Sequence, residues 1–271
     1  MTDNANDNDK AEDAAAAIFD LARNRSLDEQ VAHPGREKRR VLKRFYKKAE
    51  AGPHEKGHAI LLDGRAVKTP AKEPLAVPVL ALARAIADEW EAQAEEIDPR
   101  AMKLTKLANT AIDLVAPRRE AVIAELVNFA ATDLLCYRAD APAALAARQA
   151  AAWEPLLAWA AGQGIRLRVT TGLMHVPQDE AALDAYGASV AALDPFRIAG
   201  LHNAVTLTGS AIIGLAVALG HIGPEAAFET AHIDETWQME ICGEDDEELA
   251  RLAARRAELL ETARFLALMD A

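Results

Sequence analysis

The spacing of apolar residues changes at Val79, and that change limits the folds open to this chain. Before it, short alternating runs are cut by turn signals. Gly57-His58-Ala59-Ile60-Leu61-Leu62 reads as a strand, Asp63-Gly64 as its turn and Arg65-Ala66-Val67-Lys68 as the return. Asp-Gly between apolar runs favours a hairpin because Gly tolerates the positive φ that a tight turn demands. Phe45-Tyr46 begin an earlier strand-like stretch. Pro70 and Pro74 punctuate the exit, and Leu75-Ala76-Val77 adds an edge strand. After Val79 the period approaches four: Leu82, Ile86, Trp90 and Ile97 lie near one helical face, with Arg84, Asp88, Glu91 and Glu95 elsewhere. The implied class is α+β, a small antiparallel β-containing N-terminal domain followed by a predominantly helical C-terminal domain.

Asp98-Pro99 is the expected stop of the first helix, and further helices are expected over about 103–115 and 117–131. Leu134-Leu135-Cys136-Tyr137-Arg138 is short and apolar, and is expected as a strand returning to the sheet to close the first domain. Pro142 opens a helix that runs to about Ala161, where Gly162 and Gly164 end it. Residues 166–170 alternate as one more strand, and helices follow at about 179–193, 196–201, 203–220, 224–241 and 245–269. Alanine-rich composition favours this outcome, since Ala loses no side-chain entropy in a helix. The expected organisation is a mobile acidic and helical leading segment over 1–35, an α+β domain over 36–140 and a helical domain over 141–271.

Composition removes several function classes. The formal net charge is -12, which opposes general nucleic-acid binding and docking on an anionic membrane. Cys136 and Cys242 are the two cysteines and form no CxxC pair, so neither a disulfide scaffold nor a cysteine-rich zinc site is expected. The Asn/Asp-rich start lacks the layout of a signal or transit peptide, and the expected location is the bacterial cytoplasm. Ile198 to Pro224 is the longest uncharged run, but polar residues interrupt it and no Lys/Arg cluster flanks it. Ser210, Gly214 and Ala218, spaced by four, suit close approach of another helix, so a buried helix of a bundle is expected there and not a membrane span.

Two charge runs are candidate sites. Glu225 to Glu248 holds ten carboxylates and no Lys or Arg. A metal reading would recruit His232, Asp234 and Glu235, but their spacing matches neither an EF-hand loop nor a His-Glu-x-x-His helix. A solvated helix face followed by an acidic helix start is the plainer account. Partner recognition is the alternative, with Glu235 and Gln238 sharing a helix face. Arg36 to Lys48 holds eight basic residues and one acidic one, and with Phe45 and Tyr46 it raises an RNA-binding reading. The hydrolase-elbow, P-loop and dinucleotide motifs are absent from the sequence, so no catalytic residue and no cofactor is assigned. An enzyme with a hidden acid-base site would draw on Asp113, Asp133 or His202.

A family resemblance spans about 36–248. Its segments are Arg44-Phe45-Tyr46-Lys47, Leu61 to Pro70, Pro74 to Pro78, Glu89-Trp90-Glu91-Ala92-Gln93, Met102 to Thr105 and Asn109 to Asp113. Thr132 to Arg138, Gln149, Trp153 to Leu157 and Asp234-Glu235-Thr236-Trp237-Gln238 complete it. Jointly these resemble the ATP12 family, assembly chaperones for the F1 part of ATP synthase. The resemblance implies a non-enzymatic binding protein that holds the unassembled F1 α subunit until the β subunit displaces it. It implies no nucleic acid and no membrane insertion, and a monomer is expected. Family members, whose homologues include proteins of the mitochondrial matrix, commonly carry Trp-Gly-Glu where this chain has Cys242-Gly243-Glu244. Carried over by position, the partner-contact residues are Glu235, Gln238 and Glu244.

Overall fold

The computed structural model describes residues 42–172 and 174–271, so the leading segment 1–35 and the first part of the basic run, 36–41, lie outside the described residues. The chain forms two compact units, one running to Pro117 and taking in Leu268–Ala271, the other Arg118–Ala267. The division expected from the sequence falls at 140/141.

In the first unit the strands are β1 (Leu42–Lys43), β2 (Ala49–His54), β3 (Gly57–Leu62), β4 (Arg65–Ala66) and β5 (Ala76–Val77). Strand β3 is central. Antiparallel β2 runs along one edge from Ala49↔Leu62 to His54↔Gly57, while β4 and β5 share the other. The Asp63-Gly64 turn is as expected, with both φ values positive at 48 and 79°. Asp63 also closes the sheet's corner, its carboxylate accepting from the backbone N–H of Lys47 and Lys48 at 3.1 and 2.9 Å. Those two donors hold its carboxyl below the usual carboxylate range.

Helix α1 (Leu80–Glu91) lays Leu82, Ile86 and Trp90 into the core, as their spacing implied. It ends at Glu91 and not at Asp98-Pro99, because β6 (Glu96–Ile97) pairs antiparallel with β1. Arg44 satisfies its last carbonyls: one guanidinium nitrogen donates to the C=O of Glu91 at 2.8 Å and of Gln93 at 2.6 Å. Phe45 and Tyr46 fall between β1 and β2 and are not in a strand; Tyr46 is buried, and its hydroxyl donates to the carbonyl of Trp90 at 2.5 Å. Helix α2 (Lys103–Thr110) has no side-chain cap from its own Met102. Glu89 supplies one from α1, accepting from the N–H of Leu104 and Thr105 at 2.7 and 2.8 Å and from the Thr105 hydroxyl at 2.7 Å. A π-helical stretch, Ala111–Val115, continues α2 and brings Asp113 to the Thr69 hydroxyl at 2.6 Å and the Ala71 N–H at 3.0 Å.

The second unit contains α3 (Arg119–Ala131), β7 (Tyr137–Arg138), α4 (Ala143–Gly162), β8 (Thr170–Thr171), α5 (Glu180–Ala191), α6 (Pro195–Thr208), α7 (Ala211–Ala218), α8 (Pro224–Ala231), α9 (Ile233–Cys242) and α10 (Asp246–Leu268). Several sequence expectations need correction here, in two regions of the unit. Residues 134–138 form a 3-10 turn over Leu134–Cys136 and then β7, which pairs in parallel with β8 and does not rejoin the N-terminal sheet. The expected strand over 166–170 reduces to β8. The physical cause is Asp133, fully buried in the helical unit. Its carboxylate accepts from Leu135 N–H at 2.8 Å, Ile212 N–H at 2.9 Å and the Ser210 hydroxyl at 2.9 Å. It therefore ties the 132–136 turn to the start of α7.

The second correction concerns 196–220. The boundary expected between 201 and 203 does not exist; α6 runs unbroken to Thr208, and the chain reverses at Gly209, whose φ of 68° suits glycine. Ser210 then caps α7 by accepting from Ile213 N–H at 3.0 Å. All eight residues of α7 are buried. Its return against α6 needs Gly214, where a Cβ would stand 2.5 Å from Val205 Cγ2. The spaced small residues thus mark a close helix approach, as read, but between two short helices. The expected helix over 224–241 is likewise two, divided at His232. Among the described residues no helix is long and apolar enough to cross a membrane.

Two outcomes follow from this carboxylate capping. Glu89→Ala lowers unfolding stability by about 1–2 kcal/mol, as loss of a helix cap does, and denaturant titration measures it. Burial raises the Asp133 carboxyl from its ordinary 3.8 to about 6. Across that window the folded chain keeps a proton that the unfolded chain has released, so stability from this group falls as pH rises. Between pH 4 and 7 the wild type loses about 2 kcal/mol more than Asp133→Asn, read from unfolding free energies at each pH.

Candidate partner-binding site

Helix α9 and the connector after it form one wall of an open concavity of about 680 Å³. Of the sequence candidates, Glu235 and Gln238 come from α9 and Glu244 from the connector, and all three line it. Spacing explains the helical pair, since residues three apart share a face. Glu244 arrives because α9 ends at Gly243, whose φ of 94° turns the chain before Asp245 caps α10 through Glu247 N–H at 2.8 Å. Met239, Cys242 and Glu248 complete the wall; the same i, i+3, i+4 spacing from Glu235 would have found the first two. Cys242 therefore stands in the wall itself, and Gln238 Nε2 approaches its sulfur at 2.9 Å.

The carboxylates of this wall are not equivalent. Asp234 accepts from Gln149 Nε2 at 2.7 Å, and Glu248 is paired with Arg251. The carboxylates of Glu235 and Glu244 make no side-chain hydrogen bond or ion pair with any described residue, though the Glu235 charge is felt by His232. Ile241, on the same helix, is 63% exposed. The negative charge is concentrated in this unit, where residues 118–267 hold 21 carboxylates, 11 arginines and no lysine. Such a field favours encounter with a basic or mixed-charge protein surface.

The other sequence candidates are occupied elsewhere. His232 is buried and stacks on Phe228 at 4.1 Å, its Nδ1 2.9 Å from the Phe228 carbonyl. Burial lowers its pKa, so the neutral ring, with Nδ1–H donating, fits that contact. Among the described residues no three His, Cys, Asp or Glu side chains group as a metal site. Asp113 and Asp133 serve the structural contacts given above. His202 lies 3.3 Å from Glu125, and edge-on to Phe129 at 6.5 Å. Cys136 is buried, and burial pushes its thiol up to about 12, which suppresses the reactive thiolate. The RNA reading loses one of its two stacking rings to the core, since Tyr46 is buried under the Arg44 guanidinium, 4.7 Å from the ring centroid, while Phe45 is half-buried. Arg44 itself is engaged as the cap of α1.

The residues of the family resemblance have structural work within this frame. Glu89, Glu91 and Gln93 bind backbone donors or acceptors around α1, and Trp90 fills its core. Gln149 joins Ala139 N–H at 2.8 Å to Asp234, and Trp153 Nε1 donates to the Thr230 carbonyl at 2.8 Å. Comparison with known proteins agrees with that pattern. The family model described as ATP12 chaperone protein matches residues 43–161. The crystal structure of Atp12 from Paracoccus denitrificans is 48% identical, with a TM-score of 0.80 over 83% of this chain and 97% of that one. An aspartate-to-lysine mutant of the same protein gives the same values. The crystal structure of a candidate chaperone from Agrobacterium tumefaciens is 39% identical, with a TM-score of 0.80 over 93% and 95% of the two chains. This chain belongs to the ATP12 chaperone family.

Proposed function

We propose that this protein is an assembly chaperone that binds the unassembled α subunit of F1 ATP synthase. It covers that subunit's apolar interface until the β subunit takes its place. The observation that carries this reading is the convergence of Glu235, Gln238 and Glu244 on one open wall in a chain of the ATP12 family. No catalytic step is assigned to it. The protein acts as a cytoplasmic monomer in this account.

The physics of the role is simple. An α subunit without β exposes an apolar face, and such faces aggregate. A protein that binds this face lowers the free concentration of the sticky species by mass action. Release needs a competitor for the same surface, which is β. Unpaired Glu235 and Glu244 contribute encounter rate and orientation, while Met239 and Ile241 contribute apolar contact. A complex of moderate affinity suits handover, because a very slow off-rate would hold α away from β.

Capture of isolated α subunit by the immobilised chain, at low and high salt and with or without β, tests the proposal. The expected result is capture that β reverses. Glu235→Lys weakens capture about tenfold at low salt and less at high salt, as loss of a favourable rim charge does. Failure of the wild type to retain α at either salt level overturns the proposal. Equal capture by wild type and Glu235→Lys removes Glu235 from the contact.

A further inference from the structure

The helix that forms the proposed contact wall is weakly anchored by apolar packing. Of the ten residues of α9, Ile233 is the one that is buried, whereas α7 buries all eight of its residues. Both ends of α9 depart from helical geometry, at His232 with φ -110° and at Gly243 with φ 94°. A surface helix with little buried apolar area sits at the low end of local stability, and its pose depends on whatever polar contacts hold it.

Those contacts come from one neighbour, α4. Arg148 donates to Glu240 through both terminal nitrogens, at 2.8 and 3.0 Å, in the two-pronged geometry that fixes orientation as well as distance. The same guanidinium lies over the Trp237 ring, 5.1 Å from its centroid. Gln149, the next residue, holds Asp234 one turn earlier. Arg148 therefore grips α9 on two successive positions of one side, while Glu235, Gln238 and Met239 face the concavity. Its pairing is reflected in Glu240, whose carboxyl the Arg148 hydrogen bonds hold below the usual range. Neither Arg148 nor Glu240 lines the concavity.

We propose that Arg148 is a positioning residue, a latch that sets the pose of α9 and so presents Glu235 and Gln238 to the partner. This rests on the chaperone reading for the identity of the partner, but the latch itself acts in the free chain. Lysine is a poor replacement, since an ammonium can neither make the two-pronged contact nor spread over the Trp237 face. The latch also makes presentation salt-dependent, because the pair is partly exposed, with side chains 41% and 48% accessible.

Two measurements on the full chain separate the latch from the partner assignment. Hydrogen exchange without any partner reads the latch: Arg148→Ala speeds amide exchange about tenfold or more in residues 234–243, while α7 keeps its protection. Alpha-subunit capture reads its consequence, falling about tenfold for Arg148→Ala. The charge-swapped pair Arg148→Glu with Glu240→Arg rebuilds the ion pair but not the Trp237 contact and so recovers both readouts in part, which a general packing defect at residue 148 would not permit. Unchanged exchange in Arg148→Ala overturns the latch, whatever the partner. Fast exchange with undiminished capture overturns its role in presentation. If the wild type captures no α, the presentation role falls with the chaperone reading, and exchange still decides whether the latch exists.

Discussion

The helical unit is organised around one buried carboxylate. Asp133 gathers Leu135 N–H, Ile212 N–H and the Ser210 hydroxyl at a point where two chain segments would otherwise leave donors unpaired. A buried donor without a partner costs more than its bond is worth, so this accounting constrains the path of the chain. The donors oppose the desolvation of the charge, yet burial remains the larger influence on its ionisation. Because Asp133 fixes the start of α7, it also fixes the tight return of α7 on α6 that Gly214 permits. The fully buried helix then provides a floor for α4, α8 and the elements beyond them.

The first unit solves the same problem with different residues. Glu89 caps a helix 15 residues away, and Arg44 closes a helix end 47 residues away. Both are charged side chains used as long-range caps, placed where α1 and α2 lack local ones. The result is that Glu89-Trp90-Glu91-Ala92-Gln93, which looks like a recognition motif in the sequence, is a joint of the scaffold. The residues proposed for recognition, Glu235 and Glu244, lie outside these joints, on the wall formed by α9 and its connector.

Features set by neighbouring residues were legible in the sequence. The Asp63-Gly64 hairpin, the core face of α1 and the four-residue spacing through Gly214 all depend on local geometry. So does the sharing of a helix face by Glu235 and Gln238. The break at Gly209-Ser210 was also local, but the apolar run on both sides concealed a glycine stop followed by a serine cap. Residues 134–138 misled for the opposite reason: strand-like composition was overridden by Asp133, whose partners lie 77 and 79 residues on. The grip of Arg148 on Glu240 spans 92 residues, and no pattern within a helical window could reveal it.

In the proposed function the wall formed by α9 and its connector meets the α subunit. Comparing hydrogen exchange of the chain alone with that of the chain mixed with purified α subunit tests this most directly. The expected result is slowed exchange across residues 234–248, reversed when β is added. Slowed exchange confined to other segments, or none at all at concentrations where α remains soluble, would contradict it.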